Sequence, residues 1–466
     1  MTRRRALGIC CLACCILPWL SGPLCAADGD LDPSFSGGKV MLNWTQWQDQ
    51  ATALSPLPGG RLLVAGFVWY VLDWAITELL PDGTVDPAWA ANAAPFGFPE
   101  ASGEGTIFDV RRDASGRTWA AGMMQLLDPP SPNPDRPRPA LARLLSTGAL
   151  DPDFGDDGRM LLLNSFPSGW NLTHVNDAKL LPDGRSVFVG SCLDCPEAGD
   201  SGAFVLRLTA DGVPDAAFSG DGWEAFSPDP SCLVTRGEAV FVSKAAVVTV
   251  AGSCQSVITT LTAVTFVARL TAAGLFDSGF GGGDGISALL DLTPRRPHDI
   301  AISPATGKIV LAMAPPGSID SGGLLGLTAD GALDGGFATA GFLDLDLEEG
   351  TRMDAVQFQS DGKIVAAGTI NANGAQIAGF LLARTLANGT LDPSYDANGV
   401  KRVEFDRAPN AYDKARALAL SSGRLVVGGV ALGGSGSGVV ALVRTGNTQI
   451  LHSGFELGTL DEWAEE

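Results

Sequence analysis

The sequence predicts an all-β protein, a seven-bladed β-propeller of four-stranded blades whose ring is closed by the N-terminal strand. Three observations predict it. A motif of Asp, two residues and an aromatic occurs seven times. A glycine and a basic residue opening an apolar run recur in phase with that motif. Tight turns punctuate the strand-promoting runs between them, and no window sustains the 3.6-residue apolar period of a helical solenoid.

The pairs of the first motif are Asp32/Phe35, Asp86/Trp89, Asp151/Phe154, Asp215/Phe218, Asp277/Phe280, Asp334/Phe337 and Asp392/Tyr395. The Asp-to-Asp spacings are 54, 65, 64, 62, 57 and 58 residues. Such spacing matches one four-stranded unit per repeat. The Asp is expected to accept local backbone N–H bonds in a turn. The aromatic is expected to plug the space between blades, so all seven pairs are read as architecture.

The second motif appears as Gly60-Arg61 to Gly66, Gly184-Arg185 to Gly190, Gly362-Lys363 to Gly368 and Gly423-Arg424 to Gly429. Gly116-Arg117 and Gly307-Lys308 open two further copies, the latter without its closing glycine. Val247 to Gly252 is a degenerate copy without the basic residue. Asp82-Gly83, Asp211-Gly212, Asp330-Gly331 and Asn388-Gly389 supply turns, expected to be of type I′. The repeats begin and end in mid-unit. Leu31 to Phe35 lacks a head, and Val439 to Arg444 lacks a tail. A strand near Lys39 to Trp44 pairing with Val439 to Arg444 would complete one blade from both termini and remove two open edges. In the rival closure, Leu451 to Phe455 finishes the last blade.

The run Gln359-Ser360-Asp361-Gly362-Lys363-Ile364, with Leu391-Asp392-Pro393-Ser394-Tyr395, resembles the delta-60 repeat family of bacterial exported proteins. The resemblance covers most of residues 29–446. It implies a propeller-like fold and no agreed activity, so it carries over no catalytic residue. The fourth and fifth copies depart most, at Lys244 and at Met313-Ala314.

The chain carries a net charge of −21. Residues 1–27 read as a signal peptide. Arg3 to Arg5 are its basic head, Ala6 to Leu20 its short apolar stretch, and Cys25-Ala26-Ala27 its small-residue cleavage site. That segment holds three arginines and no acid, so the remainder is −24. Such a surface repels phosphate backbones and argues against nucleic acid as a partner. The reading is a secreted, periplasmic or cell-surface protein, monomeric, with no membrane span once the leader is removed. Residues 28–446 form the propeller, and residues 447–466 a C-terminal tail containing Trp463.

Four cysteines remain after the leader: Cys192, Cys195, Cys232 and Cys254. In an exported chain they point to disulfides. Cys232 is paired with Cys254 across a hairpin, while Cys192 and Cys195 pair locally or stay reduced. A zinc site is the weaker reading, because the spacing of the second pair is wrong for a knuckle.

Gly199-Asp200-Ser201-Gly202 copies the nucleophile turn of trypsin-like proteases and is placed in a loop. A triad needs a suitably flanked histidine, and His174, His298 and His452 offer none. Acidic glycine turns at Asp156-Asp157-Gly158, Asp221-Gly222, Asp284-Gly285 and Asp396 to Gly399 are ordinary turns with calcium as an alternative. No other cofactor is expected. Pro129 to Pro139 reads as a long surface loop. Trp44, Trp47, Trp69, Tyr70 and Trp74 crowd one region and could present a stacking surface, against the simpler reading that they fill the core.

The leading expectation is a non-enzymatic binding or scaffold module for an unknown protein or glycan ligand. One alternative is a lyase or hydrolase working in the central channel, which three or more converging Asp, Glu or His side chains there would favour. The other is a carbohydrate-binding surface around the Trp-rich first blade.

Overall fold

The computed structural model describes residues 28–446 apart from short segments, among them 70–72, 128–134, 257–262, 316–320, 372–377 and 406–412. The expected leader, Tyr70 and the tail lie outside the described residues.

Seven antiparallel sheets make seven blades, each running in chain order from its first strand outward. Blade 1 holds Asp49–Leu57, Arg61–Val68 and Asp73–Leu79, and blade 2 holds Gly105–Arg112, Thr118–Leu127, Asp135–Leu144 and Arg159–Leu161. Blade 3 holds Asn171–Leu180, Ser186–Cys195, Gly199–Leu208 and Trp223–Phe226. Blade 4 is Val234–Val242, Val248–Gln255 and Val264–Leu270. Blade 5 is Arg296–Ile302, Ile309–Ala314, Gly323–Leu327 and Phe342–Asp344. Blade 6 is Thr351–Phe358, Ile364–Asn371, Ala378–Thr385 and Val400–Val403. Blade 7 takes Asp413–Ser421, Arg424–Leu432 and Gly438–Thr445 from the C-terminal end and Lys39–Leu42 from the N-terminal end. In blades 1 and 4 the outermost position is filled by isolated bridges, Trp74 to Phe96 and Ala268 to Ile286 with Thr265 to Leu290.

Each first strand packs on the first strands of both neighbours, which places all seven around the axis. Seven apolar clusters lie between the blades, one at each interface. The core is therefore a ring, and a gap anywhere exposes two sheet faces.

Ring closure follows the complementary fragments. Lys39 pairs with Val443 and Leu42 with Val440, antiparallel. Leu31 to Phe35 anchors the join: the Asp32 N–H donates to the Arg444 carbonyl at 2.9 Å. Phe35 and Val40 are buried with Val64, Val426 and Leu442.

The repeated Asp and aromatic form one device. Each of the seven aspartates accepts the backbone N–H two residues on, as Ser34 donates to Asp32 at 3.0 Å and Ser394 to Asp392 at 3.0 Å. The second Asp oxygen takes an arginine from the third strand in five blades, as in Arg207–Asp215 at 2.7 Å and Arg384–Asp392 at 2.9 Å. That guanidinium lies over the aromatic ring of the motif, 4.3 Å from Phe35 for Arg444 and 4.8 Å from Phe218 for Arg207. The basic residue of the glycine motif supplies a second cation in several blades, Arg424 to Asp32 at 2.8 Å and Lys363 to Asp392 at 3.0 Å. Blade 5 has Gly326 where the arginine would stand, and Lys308 takes over both the ion pair and the ring contact.

All seven aromatics of the motif are buried between blades, and what varies is the contact each ring makes with the turn glycine of the next blade. The ring presses on the turn glycine of the next blade, Phe280 on Gly331 and Phe337 on Gly389, where a Cβ would clash. Phe154 differs. A Cβ on Gly212, the turn glycine of blade 3, would meet Met160 first, not Phe154. The flexible Met160 side chain, from the fourth strand of blade 2, fills the space against that turn. Phe154 instead stands edge-on to Trp119 at 5.0 Å, beneath the Arg143 guanidinium at 4.9 Å. It is buried in the cluster between blades 2 and 3, so it remains a core anchor with a different neighbour.

The turns also differ from expectation. Gly83 is left-handed at φ 85°, but Asp82 is absent from the positive-φ residues. The Gly83 N–H donates to the Leu80 carbonyl and the Leu80 N–H to the Thr84 carbonyl. This is a type I turn followed by a glycine bulge, not type I′. Pro81 suits the first corner of a type I turn, so Leu-Pro-Asp-Gly selects the three-residue loop. Of the proline-rich segment, residues 129–134 lie outside the described residues, and the rest departs from the expected loop, since Pro137 pairs with Gln125 and Pro139 with Met123 within blade 2.

Candidate ligand site at the central channel

The first strand of every blade carries a β-bulge at the same place. The extra residues are Thr52, Phe108, Asn176, Glu238, His298, Asp354 and Arg416. The closing glycine of each sequence motif explains why. At Gly66, Gly122, Gly190, Gly252, Gly368 and Gly429 a Cβ would overlap the carbonyl oxygen of the residue two before the bulge. In blade 5 the glycine is replaced by Met313, and its partner is Pro297. A bulge turns a side chain out of the regular alternation. Here it lines an axial cavity of about 1240 Å³ that touches all seven first strands.

Six of the seven bulge residues line this cavity, with Asp109, Asp177, Lys179 and Asp299. Lys179 lies 3.3 Å from Asp177. Burial opposes its charge, but the fields of Asp177, Asp299 and Asp109 outweigh that and raise its ammonium above the usual lysine range. Carboxylates from three blades thus converge on one lysine. They are already engaged. Asp109 accepts the Leu180 N–H at 2.8 Å, Asp177 the Val240 N–H at 2.9 Å and Asp299 the Val356 N–H at 2.8 Å. In each case the donor belongs to another blade. The other oxygens of Asp177 and Asp299 accept Ala178 and Ile300 N–H groups. Burial, and then Asp177, push the Asp299 carboxyl up to about 6.

The position two residues before the bulge is mostly basic: Gln50, Thr106, His174, Arg236, Arg296, Arg352 and Lys414. Arg352 and Arg416 both reach Asp354, at 2.7 and 3.2 Å. Burial would raise Asp354, but these two guanidiniums hold it below the usual carboxylate range. His298 stands 3.0 Å from Arg352, and burial and that cation lower it to about 4. Glu238 accepts the Ser253 hydroxyl at 3.0 Å, and burial raises its carboxyl despite Arg236 and Arg296 nearby. Among the described residues, neither Arg236 nor Arg296 makes an ion pair, and the buried Arg296 Nε has no hydrogen-bond partner.

The aromatic residues divide. Trp74 and Trp89 are buried in the core between blades 1 and 2, so Trp74 offers no face to a ligand. Phe154 and Tyr395 are likewise enclosed between blades, away from the channel. Trp44 is half-buried, its Nε1 donating to Thr77 Oγ1 at 2.6 Å. Trp47 and Trp69 are exposed at 44% and 42%, and Trp69 lines the cavity. The Trp69 N–H donates to the Gln48 carbonyl, which fixes Trp69 at the end where the first strands begin.

Gly199 to Gly202 lies in a strand rather than a loop, and the buried Ser201 hydroxyl accepts the Thr235 N–H at 3.1 Å. The structure joins Cys232 to Cys254 and Cys192 to Cys195. The acidic turns bond to their own main chain, as Asp221 to Trp223 and Asp284 to Ile286. Among the described residues no three His, Cys, Asp or Glu side chains are grouped to hold a metal ion.

A family model described as a domain of unknown function (DUF5122), beta-propeller, matches residues 57–88, 181–218 and 359–395. No curated protein matches the chain. Among solved structures, an α-L-arabinofuranosidase of Fusarium graminearum with arabinobiose is 13% identical over 72% of this chain and 93% of its own, with a TM-score of 0.39. A Trypanosoma rangeli sialidase mutant with trans-sialidase activity is 9% identical over 88% of this chain and 59% of its own, with a TM-score of 0.41. These distant likenesses assign no activity. The repeat matches and the seven blades together support a β-propeller repeat family.

Proposed function

We propose that the chain is an exported, non-catalytic binding module whose ligand seat is the axial cavity. One observation carries this reading: the cavity is large and rimmed by an exposed tryptophan, while Asp109, Asp177 and Asp299 in it are already committed to holding the ring together. A pocket of this size suits a small molecule or the end of a chain. The channel lyase or hydrolase reading has the converging carboxylates it required. General acid–base work also needs a carboxyl able to exchange a proton with substrate. Asp299 has a raised carboxyl, but both oxygens accept main-chain N–H groups. Asp354 is neutralised by two guanidiniums.

A glycan-array screen of the leader-free chain, followed by mass spectrometry of each captured glycan, tests the proposal. Capture without change in glycan mass is expected. Shortened or unsaturated products would overturn it.

A further inference from the structure

The first strands of blades 4 to 7 concentrate cations in a chain that is otherwise strongly acidic. Arg236, Arg296, Arg352, Arg416 and Lys414 stand on the first strands of four consecutive blades, 4 to 7. The acids on those strands are Glu238, Asp299, Asp354 and Asp413, of which Asp299 lies in the field of Lys179 and Asp413 accepts the Phe405 N–H at 2.9 Å, so the five cations outnumber the acids by one within a chain of net −21. Arg352 and Arg416 already share Asp354, at 2.7 and 3.2 Å. Arg236 and Arg296 share no carboxylate within ion-pair reach among the described residues, and the buried Arg296 Nε is unpartnered. Both feel the field of Glu238 without forming an ion pair with it, and a half-buried guanidinium that lacks a bonded partner has a fork that matches a carboxylate. Trp69 shares the cavity with Arg416 and His298. An exposed indole that shares a cavity with Arg416, one end of the cation row, suits a ligand that is a ring on one side and an anion on the other.

Resting on the binding-module reading, we propose that this cationic crescent seats the carboxylate of an acidic oligosaccharide, with a sugar ring stacked on Trp69. The anion bridges the Arg236–Arg296 pair and the Arg352–Arg416–Lys414 group. His174 and His298 stay neutral near pH 7, because partial desolvation and the arginines lower both. The permanent cations therefore carry the attraction.

Calorimetry on the intact leader-free chain tests this with tetragalacturonate, its methyl ester, tetraglutamate and sulfate. Tetragalacturonate is expected to bind and to weaken as salt screens the crescent. The ester is expected to bind roughly tenfold or more weakly, as for loss of a charge-assisted hydrogen bond. Arg236→Gln and Lys414→Gln should each weaken binding of the acid by about fivefold or more with unchanged melting temperature. Trp69→Ala should weaken binding of both sugars. Equal binding of ester and acid overturns the anion seat and leaves the binding-module reading standing. Shortened tetragalacturonate overturns the non-catalytic reading and leaves the anion seat standing. Tetraglutamate or sulfate binding as tightly as the sugar acid overturns the sugar assignment, and no binding by any probe overturns the inference outright. Should Arg236→Gln fail to fold, the ester comparison and the salt dependence on the wild-type chain decide alone.

Discussion

Deleting residues 28–45 should open the ring. The deletion removes Lys39–Leu42 from blade 7 and takes Phe35 and Val40 out of the last apolar cluster. Burying two such side chains is worth about 3–6 kcal/mol. It also strips Asp32 from Arg444, which is only 3% exposed. Leaving one partner of a buried pair behind costs roughly 3–5 kcal/mol. The sum, about 6–11 kcal/mol, approaches the entire stability of an ordinary fold. With an unfolding entropy of roughly 0.9 kcal/mol/K for a chain of this size, the melting temperature should fall by about 7–12 °C. Asp32→Ala keeps the strand and removes only the latch, so it should cost about 3–5 kcal/mol and roughly 3–6 °C. Scanning calorimetry with light scattering reads both. The rival closure assigns this role to residues 447–466. If the 28–45 deletion shifts melting by under about 2 °C while removal of 447–466 lowers it strongly, the closure argument is wrong.

Acid should loosen the same device. At Asp32 and Asp392 burial works to raise the carboxyl, but the Ser34 or Ser394 hydroxyl and the paired cations outweigh it and hold both below the usual range. Their contribution is therefore present above about pH 4 and lost as pH falls further, so melting temperature measured against pH should decline there and Asp392→Asn should flatten the decline. Replacing Cys232 and Cys254 by Ser opens a link between residues 22 apart and should cost about 3 kcal/mol in denaturant unfolding. An unchanged midpoint would show that the link does not form in solution. Gly66→Ala drives a Cβ into the Gln50 carbonyl and should destabilise by about 1–3 kcal/mol, whereas Gly335→Ala, with open space around it and no left-handed backbone, should cost less. Carbon-detected NMR should find the Asp299 carboxyl titrating about pH 6, and a midpoint near the usual carboxylate value would contradict its burial.

The architecture was legible because each repeat must rebuild the same joint. Asp32 to Phe35 and its six counterparts recur since every blade needs a local N–H acceptor, a cation partner and a ring in the core between blades. The detail at Phe154 was not legible, because the residue that reaches the next turn in its place, Met160, lies beyond the motif. The arginine itself escaped notice, because it lies eight residues before the Asp in an unremarkable apolar strand, as Arg207 does before Asp215. The channel was illegible for a different reason. Its residues share a position but no chemistry, from Thr52 to Phe108 to Arg416. Yet the closing glycines marked them. The residue crowding Gly66, Gly122, Gly190, Gly252 and Gly368 lies sixteen positions earlier each time, and counting back from those glycines reaches Arg236 and Arg352. The tryptophans misled in part, because composition cannot separate the exposed Trp69 from Trp74, which closes the core a few residues later.

Hydrogen–deuterium exchange with and without tetragalacturonate tests the central claim most directly, since it locates the ligand and needs no assumption about affinity. Protection is predicted at the starts of the first strands of blades 4 to 7, around Arg236, Arg296, Arg352 and Lys414, and at Trp69. Protection confined to the outer strands, or to the opposite channel end near Lys244, would contradict it.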